Sequence, residues 1–300
     1  MTFIKKVIFV WVFNMDKEKK AIERLKLASD MSLQYYEKPL IVTTSGGKDS
    51  DVCIRLALNA GIPFEVQHNL TTADAPETVY HVRDVFKMLE DKGIKCSFNY
   101  PTYKGKRATM WNLIPQKLLP PTRIMRYCCS VLKEKGGKNR MITTGVRWDE
   151  SVRRKKTRAT YELFTNNIEN KILLNDNDDK RMLFENCRLK AKRIVNPIID
   201  WTNRDIWDYI NSEKIPMNPL YSCGFDRVGC IGCPMAGKGR NLEFAKYPKY
   251  KENYIRAFDR MLKERIIRGK ETQWKTGQEV FDQWTEKDVM EGQLNLFEEK

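Results

Sequence analysis

The chain has 300 residues, 41% of them hydrophobic and 31% charged, and a formal net charge of +15. This composition excludes collagen-like, low-complexity and disordered classes, and the length allows one large domain or two small ones. The positive balance indicates an anionic partner, either a polyanion or a phosphorylated small molecule.

The N-terminal segment contains two lysines followed by an apolar run at residues 7–13. The run is too short to span a bilayer, and no small-residue cleavage site follows it, so we expect neither a membrane span nor export. We interpret it as a short extra strand or as sequence upstream of a start at Met15. Residues 17–36 then show the apolar periodicity of an amphipathic helix. The expected location is the cytoplasm, without membrane contact.

Strand-like and helix-like segments alternate from residue 38 onward. The strand-like runs PLIVTT, PFEVQHNLT, IKCSFNY and RMITTGVRW are separated by helical patterns. Repeated units of this length predict an α/β fold with a parallel sheet and helices on both faces. The strands are apolar runs rather than clean alternations, as expected for strands covered on both faces.

The character of the sequence changes after Trp148. A basic segment and a polar turn at residues 175–180 precede RIVNPIIDWTNRDIWDYI, which predicts a strand followed by a helix. Thr202 is the predicted N-cap of that helix, with Asp205 completing a capping box. A loop-rich segment at residues 216–239 carries three cysteines, and two more helical stretches follow it.

The segment SGGKDS, residues 45–50, joins an apolar strand to a helix. It lacks the spacing of a Walker A loop or of a dinucleotide fingerprint, but it has the same physical parts. Gly46 and Gly47 allow backbone N–H groups to approach an anion, and the helix N-terminus adds partial positive charge. Lys48 supplies a full charge, and Asp49 could orient a cation such as Mg²⁺ or cap the helix. We therefore predict a phosphate-binding loop; the alternative is an ordinary strand-to-helix turn capped by serine.

These residues also carry a family resemblance. SGGKDS after a buried strand resembles the pyrophosphate loop of the adenine nucleotide alpha-hydrolase-like enzymes, which bind ATP or adenylyl sulfates in a Rossmann-like fold. Further segments resemble one branch, the phosphoadenosine phosphosulfate (PAPS) reductase family: ADAPETVYHV, YCCSVLKEK, TTGVRWDESVRR, PIIDWTNRDIWDYI and GCIGCP. The resemblance covers roughly residues 38–240. It implies a Rossmann-like parallel sheet with helices on both faces and a helical, cysteine-bearing C-terminal region.

The resemblance implies the following site and domains. Lys48 and Asp49 are the candidate catalytic residues, and the TGVR strand end helps to bind an adenine nucleotide, either ATP or an adenylyl sulfate with or without a 3′-phosphate. The implied domains are an N-terminal extension and helix (1–37), a nucleotide-binding domain with a cysteine cluster (38–240), and a helical region with a tail (241–300). The candidate nucleotide-binding residues are Ser45, Gly46, Gly47, Lys48, Asp49, Ser50, Gly145 and Arg147.

Five of the eight cysteines fall into two groups, and without export such clusters indicate metal or redox chemistry rather than disulfides. A Cys-x-x-Cys pair alone fits zinc, a redox dithiol or an iron–sulfur ligand. Together with a distant Cys-Cys pair it favours a four-thiolate site, which both Zn²⁺ and [4Fe–4S] accept. The candidate ligands are Cys128, Cys129, Cys223, Cys230 and Cys233.

The resemblance favours a [4Fe–4S] cluster, because Cys-Cys followed by GCxxC matches the assimilatory adenylyl sulfate reductases; zinc and no metal are the alternatives. SCGFDRVGCIGC also resembles the cysteine stretch of DndC-type sulfur-transfer proteins of DNA phosphorothioation, which would make Cys223 a ligand. Five candidates thus compete for four places, and spacing does not choose between Cys128 and Cys223. The remaining cysteines, Cys53, Cys96 and Cys187, are interpreted as packing residues. The two histidines, His68 and His81, are interpreted as structural; a binding role for His68, which ends a strand near the expected nucleotide site, is the alternative.

Two features suggest a nucleic-acid partner. Between Lys104 and Arg158 the basic residues far outnumber the acidic ones, although a solvated basic face is the alternative. The segment Gln293–Phe297 resembles the Gln-Leu-x-Leu-Phe peptide by which bacterial DNA-associated proteins dock on the sliding clamp. The alternative is a tail that folds back onto the core.

Three functions are compatible with these features. The first is an ATP-using enzyme of nucleic-acid modification, such as sulfur insertion. The second is a sulfonucleotide reductase that produces sulfite, but no cysteine follows Cys233 in this sequence to serve as the nucleophile of the family's C-terminal Glu-Cys-Gly-like motif. The third, a nucleotide- and cluster-sensing DNA-binding protein, explains least about the intact SGGKDS loop.

Overall fold

The computed structural model describes residues 2–134, 136–137, 139–164, 171–178, 192–237 and 239–286. The described strands are β1 (Leu40–Thr44), β2 (Phe64–Asn69), β3 (Cys96–Asn99), β4 (Thr102–Tyr103), β5 (Lys106–Arg107), β6 (Met141–Thr143), β7 (Tyr161–Phe164), β8 (Lys171–Leu174) and β9 (Arg193–Val195). The described helices are α1 (Thr2–Tyr36), α2 (Lys48–Ala60), α3 (Pro76–Glu90), α4 (Met110–Lys117), α5 (Tyr127–Leu132), α6 (Val152–Thr157), α7 (Asn203–Glu213), α8 (Gly239–Lys246), α9 (Pro248–Ile267) and α10 (Gly277–Glu286).

The chain divides into two compact units, each discontinuous in sequence. The sheet unit comprises Met1–His68, Glu77–Phe98 and Gly137–Pro219. The helical unit comprises Asn69–Pro76, Asn99–Gly136 and Leu220–Lys300. The sequential domains 1–37, 38–240 and 241–300 remain a prediction.

The main sheet has the strand order β3-β2-β1-β6-β9-β7-β8. Strand β1 pairs in parallel with β2 and β6, and β6 pairs in parallel with β9. The α/β, Rossmann-like prediction is therefore confirmed. The sequence did not reveal that β7 and β8 extend one edge in antiparallel pairing. The sequence around β7 was interpreted only as a basic segment, so no strand was predicted there.

Strand β1 lies in the middle of the sheet, with β2 on one side and β6 on the other. Its residues Leu40, Ile41 and Val42 are buried, because a strand inside a parallel sheet is covered on both faces. The chain adds strands on the β2 side first and then crosses to the β6 side. The strand order therefore reverses between β1 and β6, and ligands of such sheets bind beside the carboxyl ends of the strands at that point.

Helix α1 confirms the amphipathic pattern of residues 17–36. Ala21, Leu25, Ala28 and Met31 are fully buried in the core of the sheet unit, with the spacing of one helix face. The interpretation of residues 7–13 as a strand was wrong, because the helix runs from Thr2 without a break. Seven consecutive apolar residues show neither the period of a helix nor that of a strand, so the hydrophobic pattern of this run cannot distinguish the two.

Helix α7 begins as the sequence predicts. The Thr202 hydroxyl accepts a hydrogen bond from the backbone N–H of Asp205, and the Asp205 carboxylate accepts one from the N–H of Thr202. This capping box satisfies two backbone donors at the helix start. Trp201 and Ile206 are buried behind it.

The helical unit has its own core. Tyr254, Phe258 and Met261 of α9 are buried, and Phe281 and Trp284 of α10 pack in the same cluster. The tilted ring pair Tyr254–Trp284 has a centroid distance of 4.9 Å, a separation typical of favourable aromatic contacts. Within the described part of the chain, no helix has the length and apolar character needed to cross a membrane.

Candidate functional site

The turn between β1 and α2 requires glycine at residue 46. Gly46 has a φ of +71°, in the left-handed region. A Cβ atom at this position would lie 2.7 Å from Cγ2 of Thr78 and 2.9 Å from Cγ2 of Val82. Both the backbone conformation and the close approach of α3 therefore exclude a side chain.

Hydrogen bonds hold the backbone of this loop in place. The Ser50 hydroxyl donates to the carbonyl of Gly47 at 2.7 Å, and the N–H of Gly46 donates to the Thr44 hydroxyl at 3.1 Å. The fully buried Asn218 donates from its amide nitrogen to the carbonyl of Gly46 at 2.8 Å. N–H groups in the first turn of a helix have no intrahelical partner, so such a loop presents donors to an anion.

Asn218 is a positioning residue that the sequence did not reveal. Its amide nitrogen also donates to the Thr78 hydroxyl at 3.1 Å, so one side chain ties the loop to α3. The signal in the sequence was weak, because residues 216–219 were interpreted only as a loop. A buried asparagine is a candidate for such a role, since a buried amide must have hydrogen-bond partners.

The TGVR segment follows β6, the strand beside β1. A Cβ atom on Gly145 would lie 2.9 Å from the carbonyl carbon of Asp49, so this glycine allows the two strand ends to approach closely. Nε of the buried Arg147 donates to Oδ1 of Asp49 at 2.7 Å. Nζ of Lys48 lies 3.4 Å from the other carboxylate oxygen. The structure thus brings Lys48, Asp49, Gly145 and Arg147 together where the strand order reverses.

Asp51 and His81 form a buried pair behind the loop. Nε2 of His81 lies 2.8 Å from Oδ2 of Asp51, and both side chains are buried. Burial raises the pKa of Asp51, and the hydrogen bond from His81 opposes that rise. The second histidine, His68, has its Nδ1 3.0 Å from the carbonyl of Thr44. Since a carbonyl only accepts, Nδ1 carries the proton, and both histidines support the ends of α2 and β1.

The helical unit brings four of the five candidate cysteines together. Cys128 and Cys129 share a hydrogen bond, and Cys230 and Cys233 are near enough to Cys128 to raise its pKa electrostatically. Cys230 is buried, while the other three are partly buried. Cys223, the fifth candidate, is exposed.

Cations surround these thiols. The hydrogen bond from Cys128 lowers the pKa of Cys129 to about 5, and Arg126 adds to this effect by donating to Sγ of Cys129 at 3.3 Å. Burial raises the pKa of Cys230 to about 11, although the positive charge of Lys133 opposes the rise. Thiolate is the form that binds metals, so the lowered pKa of Cys129 favours a ligand role for this residue.

Within the described residues, no three Cys, His, Asp or Glu side chains are arranged as a metal-ligating group. The donor chemistry nevertheless suits a four-thiolate site, because all four cysteines lie in one unit and influence each other's ionisation. Zinc and [4Fe–4S] both accept such a set. Of the remaining cysteines, Cys53 is buried as expected and Cys96 is half-buried, whereas Cys187 and the segment Gln293–Phe297 lie outside the described residues.

Comparison with known families agrees with the geometry of the sheet unit. The family described as "Phosphoadenosine phosphosulfate reductase domain" matches residues 39–236, which include the SGGKDS loop, the TGVR segment and the five candidate cysteines. The chain belongs to the PAPS reductase family. The resemblance inferred from the motifs is thereby confirmed.

Relatives of this chain include an uncharacterized protein and an adenosine 5'-phosphosulfate reductase. An uncharacterized protein of Methanocaldococcus jannaschii is 30% identical over 273 residues, covering 84% of this chain but only 58% of its own length. An adenosine 5'-phosphosulfate reductase of Staphylococcus epidermidis is 27% identical over 225 residues, covering 73% of this chain and 78% of its own. The chain thus spans little more than half the length of the first of these relatives.

Among solved structures, the PAPS reductase of Candida auris in a phosphate complex aligns with 70% of this chain and 88% of its own. The sequence identity is 15% and the TM-score 0.42. A likeness of this size carries no argument about the site. The assignment to the family rests on the match over residues 39–236.

Proposed function

We propose that this member of the PAPS reductase family binds ATP at the SGGKDS loop and uses it to activate a nucleic acid for sulfur transfer. The observation that carries the proposal is the loop itself. Gly46 has a left-handed backbone conformation and lies against Thr78 and Val82 of α3. The loop leads into the N-terminus of α2, which carries Lys48. Such a site suits a phosphate chain rather than an uncharged ligand.

In the proposed reaction, an oxygen atom of the nucleic acid attacks the α-phosphorus of ATP. The bond from that phosphorus to pyrophosphate breaks, and pyrophosphate leaves with the electron pair. Lys48 and the loop N–H groups stabilise the charge that develops on the leaving group. A hydrosulfide ion, supplied from outside, then displaces AMP, which keeps the oxygen, and a proton is released.

Asp49 acts in this proposal as a positioning residue. Its carboxylate engages Arg147 through one oxygen and lies near Lys48 through the other. It thereby holds two cations at the edge of the sheet where the nucleotide would lie. Arg147 would contact the nucleotide, and any Mg²⁺ would arrive with the phosphates.

Cys128, Cys129, Cys230 and Cys233 would hold a [4Fe–4S] cluster, which supplies a site for sulfide or for electrons when bound. Three features support a nucleic acid as the sulfur acceptor. They are the net charge of +15, the basic segment after Lys104, and the resemblance of SCGFDRVGCIGC to DndC-type proteins. No carboxylate occurs between Lys92 and Lys133 to offset the positive charge there.

The test is calorimetric binding of ATP, adenylyl sulfate and its 3′-phosphorylated form to anaerobically purified protein. We expect ATP to bind at least about tenfold more tightly than either sulfonucleotide. A tenfold ratio of dissociation constants corresponds to about 1.4 kcal/mol of binding free energy, which distinguishes the two classes of substrate. ATP-dependent release of pyrophosphate in the presence of a nucleic acid and sulfide would then be measured.

The alternative function is a sulfonucleotide reductase. The family match and the 27% identity to an adenosine 5'-phosphosulfate reductase favour it. A preference for a sulfonucleotide over ATP in the same titration would support this alternative and contradict sulfur transfer to nucleic acid.

A further inference from the structure

The hairpin β4–β5 of the helical unit projects three cations. Lys104 and Gly105 form its turn with φ angles of 50° and 76°, the left-handed pair of a type I′ turn. Lys104, Lys106 and Arg107 are exposed. Two bonds anchor the hairpin: the N–H of Ala108 donates to the carbonyl of Pro101 at 2.7 Å, and the Asn112 side chain donates to the carbonyl of Arg107 at 2.8 Å.

The charge of this hairpin is not neutralised locally. The sequence from Lys92 to Lys133 contains no Asp or Glu. Among the residues that the structure describes, Lys104, Lys106 and Arg107 form no ion pair. A solvated face usually interleaves both signs of charge, so a one-signed surface favours an anionic partner.

Aromatic rings alternate with these cations. The guanidinium carbon of Arg107 lies 4.4 Å from the ring centroid of Tyr100, which is 51% exposed. Nζ of Lys117 lies 4.6 Å from the ring centroid of Tyr103. Exposed aromatic and guanidinium planes beside positive charge are the elements of surfaces that bind unpaired bases and their phosphates.

A cleft beside Trp111 in the same unit also combines an aromatic ring with positively charged side chains. The cleft has a volume of about 600 Å³ and is lined by Trp111, Arg256, Arg260 and Lys263, with Asn253 and Asp259. Nη2 of Arg260 donates to the carbonyl of Trp111 at 3.0 Å, which fixes one cation. The Asp259 carboxylate is engaged by the N–H of Gly277 at 2.6 Å. A volume of this size suits a nucleotide.

We propose that the β4–β5 hairpin and the Trp111 cleft form a binding surface for a single-stranded segment of nucleic acid. This inference rests on the proposed function and deepens it, because it assigns the acceptor's docking surface. The backbone phosphates contact Lys104, Lys106 and Arg107, and an unpaired base stacks on Tyr100. Continuous duplex does not present a free base face, so a single strand is the better match to an exposed ring.

The first experiment measures fluorescence anisotropy of labelled 12-nucleotide RNA and DNA single strands, with a duplex of equal length, against the full chain. The variant K104A/K106A/R107A removes three exposed charges, and K19A/K26A/K92A removes three exposed charges from the sheet unit as a matched control. Loss of three phosphate contacts should reduce the slope of log affinity against log salt by about 2, at about 0.7 per contact. The control should keep the wild-type slope.

The second experiment tests stacking. Tyr100→Ala should weaken binding of the preferred single strand about 5- to 100-fold, because base–aromatic stacking contributes that much, whereas Tyr100→Phe should retain binding. Binding of inorganic polyphosphate should be unchanged by Tyr100→Ala, since it has no base. The RNA and DNA arms show which sugar is preferred.

Equal slopes of log affinity against log salt in the two triple variants would contradict the proposed binding surface. Equal affinity of Tyr100→Ala and wild type for the single strand would contradict it as well. So would tighter binding of the duplex, or of anionic vesicles, than of either single strand. The proposed function is judged separately, by the preference for ATP over sulfonucleotides. A protein that prefers ATP but binds its nucleic acid elsewhere therefore contradicts only the docking surface.

Discussion

At Gly46, two independent constraints act on one residue. Its φ of +71° is costly for any residue with a Cβ, and a Cβ here would also approach Thr78 and Val82 to less than 3 Å. Gly93 has a similar φ of +77° with nothing within 4 Å of a Cβ. The pair therefore separates the backbone cost from the cost of the close approach.

We expect Gly93→Ala to lower the free energy of unfolding by about 1–2 kcal/mol, the cost of the left-handed conformation. Gly46→Ala should cost about 1–3 kcal/mol more, because overpacking adds to that strain. Urea denaturation measures the difference, and calorimetry should show weaker ATP binding only for Gly46→Ala. Equal losses for both variants would mean that α3 moves aside without cost.

Lys48 is the positively charged residue of the loop. Lys48→Ala should weaken ATP binding about 10- to 100-fold, since a hydrogen bond to a charged partner contributes about 1.5–3 kcal/mol. Lys19→Ala, an exposed lysine on α1, is the control and should bind ATP like the wild type. Unchanged affinity of Lys48→Ala would remove the phosphate-loop interpretation.

At the scale of elements, Asn218 connects the segment after α7 to the β1–α2 loop and to α3. Asn218→Ala leaves the carbonyl of Gly46 and the hydroxyl of Thr78 without this donor, so we expect a loss of about 1–3 kcal/mol in the free energy of unfolding. ATP binding should weaken as well, because the loop loses its anchor. Asn203→Ala, an exposed residue in the first turn of α7, should change neither quantity.

Glu243 of α8 gives the helical unit a pH-dependent stability. Burial raises the pKa of Glu243 to about 7, although the N–H of Gly232 donates to its carboxylate and opposes the rise. Because the folded pKa exceeds the unfolded one, the folded state binds the extra proton. The stabilisation is complete below about pH 4.5 and is lost as the pH rises through about 7.

The wild type should therefore lose up to about 3 kcal/mol of unfolding free energy from this group between pH 5 and 8, at about 1.4 kcal/mol per unit of pKa. Glu243→Gln keeps an acceptor for Gly232 but does not titrate, so its stability should vary less over the same range. Urea midpoints at the two pH values measure the difference. Identical pH dependence in both proteins would show that Glu243 titrates normally.

At the scale of the whole molecule, the loop and the cysteines belong to different units, and each can be altered by itself. Cys129→Ser should abolish most of the iron bound after anaerobic purification, where about four irons per chain are expected of a full cluster. Cys223→Ser should retain the wild-type iron content, because Cys223 is exposed whereas the other four cysteines are buried or partly buried. Iron and acid-labile sulfide analysis measures both.

ATP affinity should remain unchanged in both cysteine variants, since SGGKDS and TGVR lie in the sheet unit. Loss of iron in Cys223→Ser but not in Cys128→Ser would instead assign Cys223 as the fourth ligand. Zinc in place of iron in the wild type would contradict the proposed [4Fe–4S] cluster but would agree with a four-thiolate metal site.

The sequence by itself determined the α/β fold, the alternation of strands and helices from residue 38, the cap at Thr202 and the glycine turn between β1 and α2. These features depend on local periodicity, on glycine and on capping residues, which act within a few positions along the chain. The family followed from the same motifs in the same order. Residues 7–13 show the limit of this reasoning, because seven apolar residues fit a helix or a strand equally well.

Only the tertiary structure decided which distant residues meet. It turned Asn218 toward Gly46, joined Arg147 to Asp49, and gathered four cysteines while leaving Cys223 exposed. It also added β7 and β8 in antiparallel pairing. Such contacts join residues that are tens to more than a hundred positions apart. Packing and burial in the folded chain determine them, and the local pattern of the sequence does not.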